Sequence, residues 1–429
     1  MKKWVASTEK QQWMERQPSC TRADAVLTIT NEHLQSIRGF GGCFNELGAV
    51  ALQQVSKEQK DTLMDEFFSE DGCAFNFCRI PVGASDYAVN WYSHNEHEDD
   101  FAMEHFSIAR DKKLLLPYIQ EGLSRNPEMQ FFASPWSPPT WMKFPKVYNY
   151  GTLIWEKPYL QAYADYFVRF IRAYADEGVR IDQLHIQNEP CSTQKFPSCI
   201  WKGEQFREFI RDYLAPAFER AGISTDIWLG TINGPEVDER SPYTRYGNYA
   251  GLVLDDLVCR EKVKGVAYQW AGKYAMQTTH EAFPELELIQ SESECGDGTN
   301  TWEYAFYIFE MLHHYFACGA SAYVYWNMAL LPGGESSWGW RQNSMVTIED
   351  GKVIYNPEFY VMKHASHFIR RGARRLRLSG HWNAFALAFE NPDGSRVVLI
   401  QNPFCETRVV NIMNESFDLQ PQSINTIIF

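Results

Sequence analysis

The feature that most limits the fold of this chain is an alternation of short apolar runs with longer amphipathic segments. Segment 159–178 repeats apolar residues three and four positions apart and stops at a glycine, as a helix does, and 204–221 and 301–319 show the same pattern. Eight strand–helix alternations over roughly 300 residues predict a (β/α)8 barrel rather than a doubly wound sheet. The connection between the sixth and seventh runs is short, and its helix is the weakest part of the pattern. The runs of strand length are 37–42, 75–82, 130–135, 183–188, 226–233, 265–270, 286–292 and 320–327.

The last part of the chain has a different pattern, with alternating apolar residues and no helical segments. FALAFE and RVVLIQN flank the turn sequence NPDG, so Asp393-Gly394 predicts a β-hairpin. SINTIIF at the end of the chain and AVLTIT near its beginning also predict strands. We therefore expect a small all-β side domain of sandwich type formed by residues 1–32 and 358–429, beside a catalytic barrel formed by residues 33–357.

Composition excludes several classes of protein. The chain is 45% hydrophobic and 22% charged, which is typical of an ordered globular protein. Its net charge of −14 argues against a nucleic-acid partner. No apolar run reaches the roughly 18 residues of a membrane span, and MKKWVASTEKQQW lacks the apolar core of a secretion signal. None of the ten cysteines forms a CxxC pair, so we expect reduced thiols, no metal site and a cytoplasmic protein without a membrane partner.

Two glutamates follow predicted barrel strands. LHIQNEP places Asn188 and Glu189 at the end of the fourth run, and LIQSESECG places Glu292, then Glu294, at the end of the seventh. Barrel enzymes carry catalytic residues at the carboxyl ends of strands. Glycoside hydrolysis needs two carboxyls, one to protonate the leaving oxygen and one to attack the anomeric carbon or activate water. A lone glutamate at a strand end is often a surface charge, but Asn-Glu-Pro is more specific, because proline ends the strand and fixes the turn. The pair therefore predicts a glycosidase.

Six motifs occur in order along the chain: GFGG at 39–42, RIPVGASD at 79–86, ASPWSPPTWMK at 133–143, QNEP at 187–190, SES at 291–293 and YWNMAL at 325–330. Together they resemble glycoside hydrolase family 30, and in particular its glucosylceramidase-like branch. The similarity continues through NPEFYVMKHASHFIRRGARR into the predicted β-domain and so covers nearly the whole chain. It implies a (β/α)8 barrel with a β-domain built from both termini, and retaining β-glycosidase chemistry without a metal or organic cofactor.

The resemblance also implies roles for individual residues. Glu189 is expected to be the acid/base and Glu292, not Glu294, the nucleophile. Arg79 is expected to pair with the nucleophile and keep it ionised, and Asp86 to accept hydrogen bonds from sugar hydroxyls. Trp136 and Trp326 are expected to frame the sugar. The remaining expected substrate-binding positions are Asn188, Gln269, Trp270 and Trp338.

The sixth strand departs from the family pattern. Members of the lysosomal type carry His-Trp-Tyr there, and the tyrosine contacts the nucleophile, whereas this chain has Gln269-Trp270-Ala271. Either Tyr274 reaches back to the nucleophile, or the site is built differently. The expected function is a retaining β-glycosidase acting on β-glucosides. The alternatives are a β-xylosidase or an endo-β-1,6-glucanase or xylanase of the same family. A non-catalytic carbohydrate-binding barrel is a further alternative, and the two acids at one rim argue against it.

Overall fold

A computed structural model describes residues 3–23, 25–234 and 249–429. At its centre, eight parallel strands form a closed barrel, in which the last strand pairs with the first through Ala322 and Gly39. All eight predicted runs contribute one strand each, which confirms the (β/α)8 prediction. The barrel strands, numbered β1 to β8 in chain order, are Gly39–Cys43, Phe77–Pro81, Gln130–Ser134, Gln183–His185, Asp226–Ile232, Val263–Gln269, Glu287–Glu292 and Ala320–Asn327.

Helices surround the barrel and connect its strands. The helix predicted at 159–178 is Lys157–Asp176, which buries residues three and four positions apart and ends before Gly178, whose φ is +79°. Helix Lys273–Ala282 follows β6, so the short connection to β7 is helical as well. The α-helices in the described residues are Glu46–Leu52, Lys57–Phe68, Leu115–Arg125, Lys157–Asp176, Gly203–Phe209, Ala215–Ala221, Tyr249–Leu254, Leu257–Lys262, Lys273–Ala282, Trp302–Ala317 and Pro357–Ser366, with a π-helical turn at Ile210–Leu214 and 3₁₀ turns at Asp111–Lys113, Thr140–Met142, Trp270–Gly272, Pro332–Gly334 and His381–Phe385.

A nine-stranded sheet lies beside the barrel and combines both ends of the chain. The predicted hairpin is present, because Ala386–Glu390 and Arg396–Asn402 pair antiparallel on either side of Asp393-Gly394. AVLTIT and SINTIIF also form strands of this sheet, which confirms an all-β domain built from both termini. The division at 32/33 and 357/358 stays a prediction. In spatial order the strands are Met14–Arg16, Lys3–Ser7, Ser423–Ile428, Arg396–Asn402, Ala386–Glu390, Arg374–Ser379, Ala25–Ser36, Arg408–Ile412 and Glu415–Leu419.

Side chains fill the inside of the barrel. His185 stacks between Phe132 and Trp228, with ring centroids 4.6 and 5.4 Å apart. The interior is therefore a packed core, so a ligand site has to lie at one of its two ends. Two small sheets near the loops were not predicted from the sequence: Lys143–Phe144 with Thr152–Leu153, and Ala329–Leu330 with Val346–Glu349 and Lys352–Tyr355. Within the described ranges, every helix is too short or too polar to cross a membrane.

Candidate active site

The carboxyl ends of β4 and β7 bring two glutamates to the same mouth of the barrel. Glu189 follows β4 and Glu292 is the last residue of β7. Gln269, at the end of β6, joins them, because its amide Nε2 donates to Glu189 Oε1 at 3.2 Å and to Glu292 Oε2 at 3.1 Å. Since one nitrogen reaches both oxygens, these oxygens lie at most about 6.3 Å apart, so the two carboxyl groups are close enough to act on the same glycosidic bond.

Arg79, in β2, lies at the centre of the mouth. Its side chain is completely buried, and Nη1 donates to Glu292 Oε2 at 2.7 Å while Nη2 donates to Asn188 Oδ1 at 2.6 Å. Ser134 Oγ accepts from Nε at 3.0 Å and from Nη2 at 2.8 Å. The guanidinium also lies over the Trp136 ring, 4.4 Å from its centroid. Charge-assisted hydrogen bonds of this kind fix the direction of the Glu292 carboxylate.

The two carboxyls have different proton affinities. Burial, and then the charge of Glu292, raise the pKa of Glu189 to about 8. Burial also raises the pKa of Glu292 above its ordinary value of 4.5, although the Arg79 charge and the hydrogen bonds from Trp270, Arg79 and Gln269 act in the opposite direction. Arg79 therefore offsets the burial of Glu292 only in part. As the pH rises, Glu292 loses its proton before Glu189. Over an intermediate pH range Glu292 is therefore ionised while Glu189 is still protonated.

Glu294 lies outside the mouth. Its carboxylate forms an ion pair with Lys273, at the start of helix Lys273–Ala282, and Oε2 accepts a hydrogen bond from the Tyr307 hydroxyl at 2.5 Å. Both partners belong to the helical layer around the barrel. Of the two acids in residues 291–294, Glu292 is thus the one that contacts Arg79 and Gln269.

Asp86 and two tryptophans lie beside the glutamates. The rings of Trp136 and Trp326 are 5.2 Å apart and inclined by 34°. Asp86 is 6% exposed, and its Oδ1 has no hydrogen-bond partner among the described residues. Burial, followed by the charges of Glu292 and Glu189, raises the pKa of Asp86 well above its usual range. A buried polar atom without a partner is costly, so this position suits a ligand hydroxyl.

Comparison with known proteins decides the family. Residues 37–369 match the glycosyl hydrolase family 30 TIM-barrel domain. The chain belongs to this family. The lysosomal acid glucosylceramidase of Mus musculus is 29% identical over 421 residues, which cover 90% of this chain and 79% of that protein. The endo-1,6-beta-D-glucanase BGN16.3 of Trichoderma harzianum is 27% identical over 405 residues, which cover 89% of this chain and 80% of that protein.

Solved structures agree with the fold. SrfJ from Salmonella typhimurium and an endo-beta1,6-glucanase each have a TM-score of 0.89 to this chain at 24% identity, covering 100% of this chain and 99% of theirs. At that identity the likeness establishes the fold and no more. Family membership and the curated relatives confirm the predicted resemblance and the predicted class, an O-glycoside hydrolase.

Ala271 stands where the family pattern has a tyrosine, and the residue before it donates to the nucleophile candidate instead. The indole Nε1 of Trp270 donates to Glu292 Oε1 at 3.1 Å. Its backbone φ of +48° lies in the left-handed region, which turns the residue out of the strand direction. Tyr274 is 70% exposed, and among the described residues it is not a hydrogen-bond partner of Glu292. The site is therefore built differently, and the available signal was the tryptophan directly after Gln269.

Small hydroxyl side chains complete the site, and sequence reasoning missed them. Thr231 Oγ1 donates to Asn188 Oδ1 at 3.0 Å, and Ser291 Oγ donates to Gln269 Oε1 at 3.0 Å. With Ser134, they lie at or near the carboxyl ends of their strands, which was the only signal that marked them. In the part of the chain that is described, no group of three or more His, Cys, Asp or Glu side chains is placed to hold a metal ion.

Trp338 lies on the loop after β8. Its ring stacks on that of Trp340, with centroids 5.6 Å apart and planes 12° apart, and Phe196 approaches it to 5.1 Å. The Tyr87 hydroxyl donates to the Gly334 carbonyl at 2.7 Å and ties this loop to the wall that carries Trp326. Trp340 is 45% exposed and was not among the predicted positions.

Proposed function

We propose that the chain hydrolyses β-glucosidic bonds with retention of the anomeric configuration, with Glu292 as nucleophile and Glu189 as acid/base. The observation that carries the proposal is the Gln269 amide, which donates to both carboxyls and keeps the two oxygens within about 6.3 Å. In an inverting enzyme the attacking water lies between the base and the anomeric carbon, and the two carboxyls are roughly 6.5–9.5 Å apart to make room for it. The shorter separation here favours direct attack by the Glu292 carboxylate.

The reaction has two steps. First, a Glu292 oxygen forms a bond to the anomeric carbon while the bond to the aglycone oxygen breaks, and Glu189 gives its proton to that oxygen. Then Glu189 removes a proton from water, the hydroxide attacks the anomeric carbon, and the bond to Glu292 breaks. Arg79 and Trp270 donate hydrogen bonds that orient the Glu292 carboxylate for attack. The same hydrogen bonds stabilise its negative charge when the bond to the anomeric carbon breaks.

Glucose is the glycone that the neighbouring side chains and the relatives support. Asp86 offers a buried, unpaired acceptor to the sugar hydroxyls, and Trp136 and Trp326, whose rings lie side by side with centroids 5.2 Å apart, provide an apolar wall next to it. The mouse relative is named a glucosylceramidase and the Trichoderma relative an endo-1,6-beta-D-glucanase, and both names describe glucose-containing substrates.

Endo-β-1,6-glucanase activity is the second candidate, and the rim of the site favours it. The stacked pair Trp338 and Trp340 provides a flat, partly exposed aromatic surface outside the position of the first sugar. Aromatic faces of this kind pack against sugar rings beyond the cleaved bond, which a glucan has and an aryl glucoside lacks. β-Xylosidase and xylanase activities remain further alternatives.

The stereochemical experiment tests the mechanism. Proton NMR of the first product from an aryl β-glucoside is expected to show the β-anomer before mutarotation. Glu189→Ala is expected to form the glucosyl-enzyme from a dinitrophenyl β-glucoside, which needs no proton, and then to stall. Added azide is expected to restore turnover and give the β-glucosyl azide. An α-anomer at early times would contradict retention and the assignment of Glu292.

A panel of substrates tests the glycone and the mode of action. Aryl β-glucoside, β-xyloside, β-galactoside and β-fucoside are compared first, then gentio- and laminari-oligosaccharides. We expect the β-glucoside to be the best aryl substrate. Preference for the xyloside would change the assigned glycone from glucose to xylose and leave the proposed mechanism unchanged. Cleavage at internal bonds of gentio-oligosaccharides would identify the chain as an endo-β-1,6-glucanase.

We also propose a cytoplasmic location and no nucleic-acid partner. All ten cysteines are free thiols, eight of them buried or half-buried, which supports a reducing compartment. The net charge of −14 supports the absence of a nucleic-acid partner. Fractionation of cells that make the protein from its own gene would test the location.

A further inference from the structure

A cavity of about 860 Å³ lies at the end of the barrel opposite to the glutamates. Its wall is formed where the beginnings of the barrel strands meet the nine-stranded sheet. The barrel contributes Gln130 and Glu287, the first residues of β3 and β7, and the sheet contributes Arg375 and Arg377. The volume lies within the range of about 300–1,000 Å³ that is typical of small-molecule sites.

Arg375 is the unusual residue of this cavity. Its Nε is buried and has no hydrogen-bond partner, and within the described residues no carboxylate forms an ion pair with its guanidinium. Burial, and then the charge of Arg377, lower the pKa of Arg375 to about 10. Arg377 lies two positions further along the same strand, so both side chains leave the sheet on the same face. Burial of a charge without a counter-charge is strongly unfavourable.

The other charged groups of the wall already have partners. Arg38 forms a bidentate ion pair with Glu287, with Nε–Oε1 at 2.7 Å and Nη2–Oε2 at 2.5 Å. Glu285 pairs with Arg260 outside the cavity. Both acids of the wall are therefore neutralised by other arginines.

Of the two further arginines of the wall, Arg377 has a carboxylate partner and Arg371 has none among the described residues. Arg371 donates only to the backbone carbonyls of Arg38, Glu128 and Asn76, which carry no charge. Arg377 pairs with the exposed Glu32 through Nε. The positive charges of Arg371 and Arg375 therefore remain without a carboxylate from the described residues, in a chain whose net charge is −14.

We propose that this cavity binds a small phosphate-bearing ligand, with its oxyanion between Arg375 and Arg377. Guanidinium groups present paired N–H donors that match phosphate oxygens. Two such groups on one strand face, about 7 Å apart along the strand, suit a tetrahedral anion with several oxygens better than a single carboxylate. The cavity is much larger than a phosphate ion, and His280, whose Nδ1 is buried without a partner, lines the remaining space. That space fits an organic group such as a sugar.

Calorimetric titration tests the site. Inorganic phosphate and glucose 6-phosphate are titrated into the full chain at constant ionic strength. We expect saturable binding, and at least tenfold weaker binding in Arg375→Gln. Arg220→Gln, which removes the same charge from an exposed position on helix Ala215–Ala221, is the matched control and is expected to bind as the unchanged chain does. Tighter binding of the sugar phosphate would indicate a phosphorylated organic ligand, and equal binding would indicate free phosphate.

A second measurement locates the anion without relying on a variant. Crystals of the unchanged chain soaked in tungstate, an oxyanion that scatters anomalously, are expected to show a peak between Arg375 and Arg377. No peak there, or equal phosphate affinity in Arg375→Gln and the unchanged chain, would overturn the proposal. Hydrolysis of an aryl β-glucoside is expected to be unchanged in Arg375→Gln, because the residue lies at the far end of the barrel from Glu189 and Glu292.

Discussion

Each end of the barrel contains an arginine, Arg79 fully buried at the mouth and Arg375 half-buried at the base, and their guanidinium groups have opposite surroundings. At the mouth, Arg79 donates to Glu292, Asn188 and Ser134, while an acceptor, Oδ1 of Asp86, and a donor, Nε1 of Trp326, have no partner among the described residues. At the base, a charged donor, Nε of Arg375, has no partner among the described residues. Since folded proteins satisfy nearly all buried polar atoms, an unpaired one indicates which chemistry a ligand has to bring. The mouth therefore suits a hydroxyl, which can both donate and accept a hydrogen bond, and the base suits an oxyanion.

The difference in hydrogen bonding between Arg79 and Arg375 also matches the difference between a catalytic site and a binding site. A catalytic charge has to be held in position before the substrate arrives, and the protein itself supplies the hydrogen bonds that do so at the mouth. A binding charge needs no such partner, because the ligand provides the counter-charge. The following variants either remove an interaction at the mouth or test whether a change at the mouth leaves phosphate binding at the base unaffected.

Glu292→Ala removes the charge that pairs with Arg79 and is expected to have the largest effect. The rate of aryl β-glucoside hydrolysis should fall by about 10⁵-fold, because both the attacking group and its charge are lost. Glu294→Ala is the matched control, since its carboxylate contacts Lys273 and Tyr307 instead, and less than a tenfold loss is expected. If the Glu294 variant is the inactive one, the assignment on β7 is wrong.

Asp86→Ala removes the unpaired acceptor at the mouth. We expect kcat/KM for an aryl β-glucoside to fall by about 10²- to 10³-fold, because a sugar hydroxyl loses its only buried partner there. Asp86→Asn retains one acceptor oxygen and is expected to lose less. Phosphate binding at the base should be the same in both variants. A loss below threefold in Asp86→Ala would mean that the unpaired oxygen does not face the sugar.

Much of this architecture could be predicted from the sequence, because it depends on local patterns. Each barrel strand is an apolar run bounded by turn or helix signals, and Asp393-Gly394 marks the hairpin of the side sheet. The positions of Glu189 and Glu292 follow from the same patterns, since a polar residue directly after an apolar strand lies at the rim of a barrel.

The rest depends on contacts between distant segments. The choice of Trp270 as a donor to Glu292 requires the left-handed backbone at that residue, and no local pattern predicts it. The bridging role of Gln269 requires β4 and β7 to lie on either side of it. The unpaired Arg375 is visible only once the sheet is placed against the base of the barrel, because in the sequence it is one of several arginines in a row.

Arg79→Lys tests how the pairing at the mouth sets the pH dependence. The proposed mechanism requires ionised Glu292 and protonated Glu189, so activity of the unchanged chain should fall above pH about 8, where Glu189 loses its proton. The acidic limb should lie above the ordinary pKa of a glutamate, because burial raises the pKa of Glu292. These limbs report apparent values of a coupled pair.

The charge of Arg79 lowers the pKa of both glutamates, and its hydrogen bond acts on Glu292 alone. Lysine keeps the charge but loses the forked hydrogen bonds, so the acidic limb is expected to move upward and the basic limb to move little. At the optimum, we expect a loss of about 10- to 100-fold. An acidic limb that stays in place would mean that Arg79 has only a structural role.

Trp340→Ala is expected to have the smallest effect and to separate the two substrate candidates. Trp340 stacks on Trp338 on the loop after β8, where we propose that an outer sugar of a glucan packs. Loss of one aromatic face should raise the KM for gentio-oligosaccharides by about 3- to 10-fold and leave the aryl β-glucoside nearly unchanged. Phe404→Ala, which removes an exposed aromatic ring from the side domain, is the control and should change neither constant. If the KM values of both substrates rise equally, the stacking of Trp338 and Trp340 stabilises the loop and does not contact an outer sugar. The aromatic pair would then no longer be evidence for an endo-acting enzyme.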